Sequence, residues 1–143
     1  MKKNYLLVII QFACLFFFIF SGSLLGNSIV LISVQVISIL LGIWAIITMR
    51  FSNLTVMPEP KSSATLIMKG PYTKIRHPMY TSILLLCFTF LINSFTIFRL
   101  LIFVLLLVNQ IIKINYEETL LELKFIDYST YKRKSWRLIP FIY

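Results

Sequence analysis

Four apolar stretches, separated by short polar interruptions, dominate the chain. The first two are residues 5–25 and 29–49, and each is long enough for a helix that crosses a hydrocarbon core, which takes about 20 residues. The third and fourth are residues 79–92 and 96–112. The pattern predicts an all-α integral membrane protein, a helical bundle with about four transmembrane helices.

The third stretch is short for a perpendicular crossing, because its 14 residues would span only about 21 Å as a helix. Asn93 and Ser94 separate it from the fourth stretch, and we therefore expect a helical hairpin with these two residues near its tip. Gly22 and Gly26 fit a GxxxG helix-packing motif. Their polar neighbours favour a turn on the far side of the membrane instead.

Small and polar residues interrupt the second stretch. Ser38 and Gly42 form a small-xxx-small pair that lets a neighbouring helix approach closely. Gln35 is expected to hydrogen-bond to another helix. Lys2 and Lys3 before the first stretch are also typical of a signal peptide, but the apolar run is long and no clear small-residue cleavage pattern follows it.

The charge distribution predicts the topology. The chain carries 14 Lys and Arg against 5 Asp and Glu, a net charge of +9. Five of the cations lie in residues 50–77 and six lie after residue 112, whereas the first turn has none and the second only Arg99. Both termini should therefore face the cytoplasm. Because the cations lie between apolar segments, we expect contacts to anionic membrane lipids and no nucleic acid partner.

The chain is expected to form one domain with four parts. Residues 1–49 form a two-helix scaffold, 50–78 a cytoplasmic loop, 79–112 the helical hairpin, and 113–143 an amphipathic cytoplasmic tail on the inner surface. Cys14 and Cys87 lie in apolar runs, where a thiol is a small buried hydrophobe, so we expect no disulfide and no metal site. Neither composition nor motifs indicate an oligomeric state.

Two neighbouring carboxylates, Glu117 and Glu118, follow soon after the fourth apolar stretch. Carboxylates this close to a hydrocarbon boundary need partners, which favours a ligand or a cation beside them. Solvated carboxylates at the start of a tail helix explain the pattern equally well. The residues alone leave both interpretations open.

The only histidine, His77, stands between Arg76 and Pro78. Proline suits the first turn of a helix, where free backbone donors attract anionic groups, and arginine adds a fork for a carboxylate. A lone histidine at a membrane interface is more often a simple hydrogen-bonding residue. The predicted hairpin, however, returns Glu117 to the membrane face on which Arg76 and His77 lie. A site that contains both basic and acidic groups suits a zwitterionic ligand.

The motifs GPYTKIRHPMY, EETLLELKF, YSTY and RLIPF follow one another in this order over about residues 65–141. In this combination the chain resembles the membrane methyltransferases that include isoprenylcysteine carboxyl methyltransferase and the phospholipid N-methyltransferases. The resemblance implies an S-adenosyl-L-methionine site and a lipid-like or amphiphilic methyl acceptor. The residues to which it assigns cofactor contacts are Ala64, Thr65, Leu66, Ile67, Tyr72, His77, Pro78, Met79, Tyr80 and Glu117.

The resemblance also points to residues that act on the acceptor. Lys113 stands where the eukaryotic members have an arginine associated with the substrate carboxylate, so the charge is kept and the bidentate fork is lost. A carboxylate acceptor requires no general base, whereas an amine acceptor would need one, for which His77 and Glu118 are candidates. The short interval from Phe125 to Tyr128 is similar to that of compact bacterial members, which implies a bacterial inner membrane. O-methylation of a carboxylate is the preferred function, phospholipid N-methylation the alternative, and a non-catalytic membrane interaction protein the alternative of another class.

Overall fold

The computed structural model describes residues 2–53, 55 and 65–143. These residues form five α-helices and one short 3-10 helix, and no strand lies among them. The predicted all-α class is confirmed. The helices are α1 (Lys2–Phe20), α2 (Ile29–Asn53), α3 (Pro78–Asn93), α4 (Ile97–Lys124) and α5 (Tyr128–Lys134), and the 3-10 helix is Gly70–Thr73.

Two of the described helices are long and apolar enough to cross a membrane. They are Ile29–Met49, with 21 residues and a mean hydropathy of 2.6, and Ile97–Lys124, with 28 residues and a mean hydropathy of 2.2. The apolar helices Asn4–Phe20 and Pro78–Asn93 are shorter. By length and composition, therefore, two of the four predicted spans are supported.

The connection between α1 and α2 meets the connection between α3 and α4 at one end of the bundle. Residues 21–28 are non-helical, as the polar neighbours of the two glycines predict. Asn93 Nδ2 donates to the carbonyl oxygens of Ser23, at 3.2 Å, and Leu25, at 2.8 Å, and Asn93 Oδ1 accepts from Asn27 N at 2.8 Å. The predicted hairpin tip thus lies against the turn between α1 and α2.

The small-residue pair on α2 brings α3 close. Ser82 Oγ donates to the carbonyl oxygen of Ser38 at 2.6 Å. A Cβ atom at Gly42 would lie 2.6 Å from Ser82 Oγ, so no larger residue fits there without a shift. Gln35 differs from the expectation, because its amide bonds to Leu24 O and Gly26 N in the connection rather than to a neighbouring helix.

Helix α4 is longer than the apolar stretch that predicted it. It continues without a break from Ile97 to Lys124, about 42 Å at the usual rise, and it therefore carries Glu117 and Glu118 on the same helix as the apolar run. The amphipathic pattern after it is divided between the end of α4 and α5. The core of the bundle includes both free thiols, which are buried as expected.

Candidate active site

The site begins at the junction, which we define as residues 70–80, between the loop and α3. Gly70 has a φ of +56°, and a Cβ atom there would lie 2.7 Å from Thr48 Oγ1, so both the backbone and the space require glycine. Pro78 occupies the first turn of α3, as its sequence position predicts. The chain thus enters α3 in one orientation, with His77 immediately before it.

Residues 135–138 pair with the junction through the backbone. Trp136 N donates to Lys74 O at 2.9 Å, and Trp136 O accepts from Arg76 N at 2.7 Å. His77 N donates to Arg137 O at 3.1 Å. This parallel bridge holds the tail on the junction, a contact for which the sequence offered no signal beyond the shared membrane face.

A cavity of about 430 Å³ lies between the junction and helices α1, α2, α4 and α5. Most of the residues that the resemblance assigns to the cofactor line it, namely Thr65, Leu66, Ile67, Tyr72, His77, Met79, Tyr80 and Glu117. Pro78 is buried and is not part of the lining, and Ala64 falls outside the described residues. The sequence missed lining residues on other elements, among them Gln11, Phe12, Ile46, Met49 and Leu121.

Glu117 faces this cavity. Its Oε2 accepts a hydrogen bond from Tyr80 Oη at 2.9 Å and lies 3.7 Å from His77 Nδ1. The rings of His77 and Tyr80 stack with their centroids 5.5 Å apart. Within the described part of the chain no donor bonds to Glu117 Oε1, and the side chain is 24% exposed, so one carboxylate oxygen is open to a ligand.

Glu118 faces away from the cavity, into a cluster of cations. Its Oε1 accepts from Arg76 Nε at 2.7 Å and lies 3.3 Å from His77 Nε2, and its Oε2 accepts from Arg137 Nε at 3.0 Å. Lys132 Nζ lies 3.8 Å from the same oxygen, and the Glu118 side chain is only 3% exposed. A buried carboxylate needs such partners. The geometry favours a positioning role for Glu118 over proton transfer.

Two buried tyrosines complete the wall beside the junction. Tyr131 Oη donates to Tyr72 O at 2.6 Å. Burial raises the pKa of Tyr131 to about 12, and burial together with the Glu117 carboxylate raises the pKa of Tyr72 above its ordinary value. Both phenols are therefore neutral at physiological pH, and they present hydroxyl groups rather than charges.

Lys113 reaches the cavity from α4, one helical turn before Glu117. Its Nζ donates to Gln11 Oε1 at 2.6 Å and lies 5.2 Å from the centroid of the Tyr80 ring. Both Lys113 and Gln11 are buried, and within the described residues Lys113 forms no ion pair. Gln11 is a buried amide in the middle of the apolar helix α1, the kind of residue that often marks a site inside a membrane protein.

Comparison with known families identifies this architecture. The family model described as phospholipid methyltransferase matches residues 27–127, which include α2, the junction, α3 and α4. The chain belongs to the phospholipid methyltransferase family. Comparison with curated proteins finds no match. The family membership confirms the resemblance that the motifs indicated, and with the two long apolar helices it identifies the chain as a methyltransferase of the membrane.

Proposed function

We propose that this phospholipid methyltransferase family member transfers the methyl group of S-adenosyl-L-methionine to a lipid-like or amphiphilic acceptor that enters from the bilayer, with a carboxylate as the preferred acceptor group. The observation that carries the proposal is the shared cavity, where the junction residues meet Glu117 and Lys113 of α4. Glu117, with one open carboxylate oxygen, and Lys113, a buried cation that forms no direct ion pair with a described residue, lie on the same wall.

The cavity residues fit the proposed cofactor. Its volume of about 430 Å³ lies in the range of small-molecule sites, and its lining is mainly apolar with a few polar groups. Glu117 Oε1 can accept from an ammonium or hydroxyl group, and Leu66 and Ile67 offer an apolar wall. The cofactor would supply a methyl group on a sulfonium, which is electrophilic. The residues of the chain bind it, orient it and exclude water.

Lys113 favours an anionic acceptor. It is buried against the neutral amide of Gln11, so an acceptor carboxylate would supply the direct ion pair that Lys113 does not form with any described residue. When a carboxylate oxygen attacks, an O–C bond forms as the S–C bond breaks, and no proton has to leave. Alignment of the two groups in a site with little water then provides most of the catalysis.

The second candidate, phospholipid N-methylation, is favoured by the description of the matched family. An amine acceptor must lose a proton, and Glu118 is occupied by three or more cationic groups. His77 beside Glu117 would then be the base, and Lys113 would contact the lipid phosphate.

We also propose that all four apolar helices cross the membrane, with the junction and both termini on the cytoplasmic side of a bacterial inner membrane. The positive charges that flank the apolar runs support this orientation. The meeting of the two connections at the opposite end of the bundle supports it as well.

Membranes containing the chain, incubated with methyl-labelled S-adenosyl-L-methionine, test the function. Base-labile label in a lipid or protein fraction identifies a carboxyl ester, and base-stable label in phospholipid identifies N-methylation. Absence of label together with absence of cofactor binding by the purified protein would support the non-catalytic alternative. Glu117→Gln is the matched negative control, because it alters the cavity, and Glu122→Gln is the matched positive control, because Glu122 pairs with Lys132 outside the cavity.

A further inference from the structure

The chain turns back on itself after Leu138. Leu138 belongs to the apolar core, and its carbonyl oxygen accepts from Thr81 Oγ1 at 2.9 Å in the first turn of α3. Leu138 N and Ile139 N both donate to Tyr143 O, at 2.9 and 3.0 Å. These bonds close residues 138–143 into a turn beside the start of α3.

The outer side of this turn is apolar. Phe141 is 85% exposed and Ile142 is 78% exposed, and Ile139 is exposed as well. Phe141 has a φ of +68°, in the left-handed region that a bulky residue rarely adopts. One part of the Phe141 ring packs on Trp136, with the ring centroids 4.6 Å apart, and the rest of the ring is open to an outside partner.

Two exposed cations lie at the end of α5, next to the same segment. Arg133 and Lys134 form no ion pair within the described part of the chain. Cations beside exposed apolar side chains match the chemistry of an anionic bilayer surface, where phosphates face the charges and acyl chains face the apolar groups. The turn also lies next to the first turn of an apolar helix, where a bilayer would begin.

We propose that residues 133–142 bind an anionic lipid surface beside the start of α3, and that this contact holds the backbone of Arg76 and His77 in place. Residues 133–142 connect the proposed lipid contact to the junction because their two sides have different partners. The outer side carries Phe141 and Ile142, whereas the inner side accepts the backbone hydrogen bonds of Arg76 N and His77 N through the carbonyl oxygens of Trp136 and Arg137. A surface that binds only the ordered segment stabilises those bonds by mass action, whatever the methyl acceptor is.

Hydrogen exchange of the full chain in nanodiscs tests the proposal. Discs that hold one copy are prepared from neutral phosphatidylcholine, or from phosphatidylcholine mixed with anionic phosphatidylglycerol. In the anionic discs we expect exchange on the order of tenfold slower at residues 74–77 and 135–143, since each cation near such a surface contributes to binding. Equal exchange in the two lipids would overturn the proposal.

Matched variants separate charge from apolar contact. R133Q/K134Q should abolish the difference between the two lipids, whereas K69Q, which removes an exposed cation outside the measured segments, should keep it. I142S, which leaves the packing of Phe141 on Trp136 in place, should speed exchange at residues 74–77 in both lipids, and I126S, at another exposed isoleucine, should not. Slow exchange in α2 and α3 confirms that a variant is folded. Protection that requires two copies per disc, whatever the lipid, would identify a second chain as the partner and overturn the lipid assignment.

Discussion

Arg76 and Glu118, 42 residues apart, form a buried ion pair with Nε and Oε1 2.7 Å apart. The same guanidinium donates through Nη1 to the carbonyl oxygens of Lys132 and Ser135. One arginine therefore joins the junction, α4 and the tail. The wall of the cavity depends on this connection, although Glu118 itself does not line it.

Glu118→Gln should destabilise the protein by about 3–5 kcal/mol, because the cations around it would lose their buried counter-charge. The measurement is denaturant unfolding in detergent micelles. Glu122→Gln is the control, since its ion pair with Lys132 is exposed and should contribute no more than about 1 kcal/mol. Equal losses in the two variants would contradict the structural role of Glu118.

Glu117→Gln should weaken S-adenosyl-L-methionine binding by roughly 1.5–3 kcal/mol, because a charge-assisted hydrogen bond is lost while the side-chain shape is kept. Isothermal titration calorimetry measures this directly. The free energy of unfolding should change much less than in Glu118→Gln, since Glu117 has one open oxygen. Unchanged cofactor affinity would remove Glu117 from the proposed site.

Lys113→Ala should lower turnover of an anionic acceptor while cofactor affinity stays nearly the same, and Lys113→Arg should retain much of the activity because the charge survives. Lys124→Ala, at the end of the same helix, is the control for the loss of one cation. Should the acceptor be an amine without an anionic group, removal of Lys113 would be neutral or mildly activating. An equal loss of cofactor binding and turnover would place Lys113 on the cofactor or the fold.

Gln11→Glu offers a second test of whether the positive charge of Lys113 binds an anionic acceptor. The new carboxylate would stand at the oxygen that now accepts from Lys113 Nζ at 2.6 Å and would neutralise the cation. The KM for an anionic acceptor should rise while cofactor affinity stays the same. Gln11→Leu removes the hydrogen bond without adding charge, and a rise in KM of the same size there would point to packing instead.

Reporter fusions test the orientation of the spans. Because positive charges are concentrated in residues 50–77 and after residue 112, reporters after Lys69 and after Tyr143 should both read cytoplasmic. A reporter after Gly26, in the connection between α1 and α2, should read the opposite side. A cytoplasmic signal there, or an external signal from either of the other two, would exclude the four-span arrangement.

The sequence alone determined the helices and much of the cavity wall. Long apolar runs adopt helices because the backbone must satisfy its own hydrogen bonds in lipid, and Pro78 and the polar residues after Asn93 mark the ends of α3. Lys113 and Glu117 are four residues apart, so helical periodicity places them on one face. The sequence motifs and this spacing together named nine of the 20 lining residues.

Only the tertiary structure decided what surrounds each polar group. Glu117 and Glu118 are adjacent, and helical geometry turns them about 100° apart, but the packing of the junction and tail determines which one faces the cavity. The partner of Lys113 is Gln11, 102 residues away, and Trp136 of the tail pairs with Ile75 of the junction. Local periodicity carries no information about contacts so distant in the chain, because they form only when α1, α4 and the tail pack around the same space.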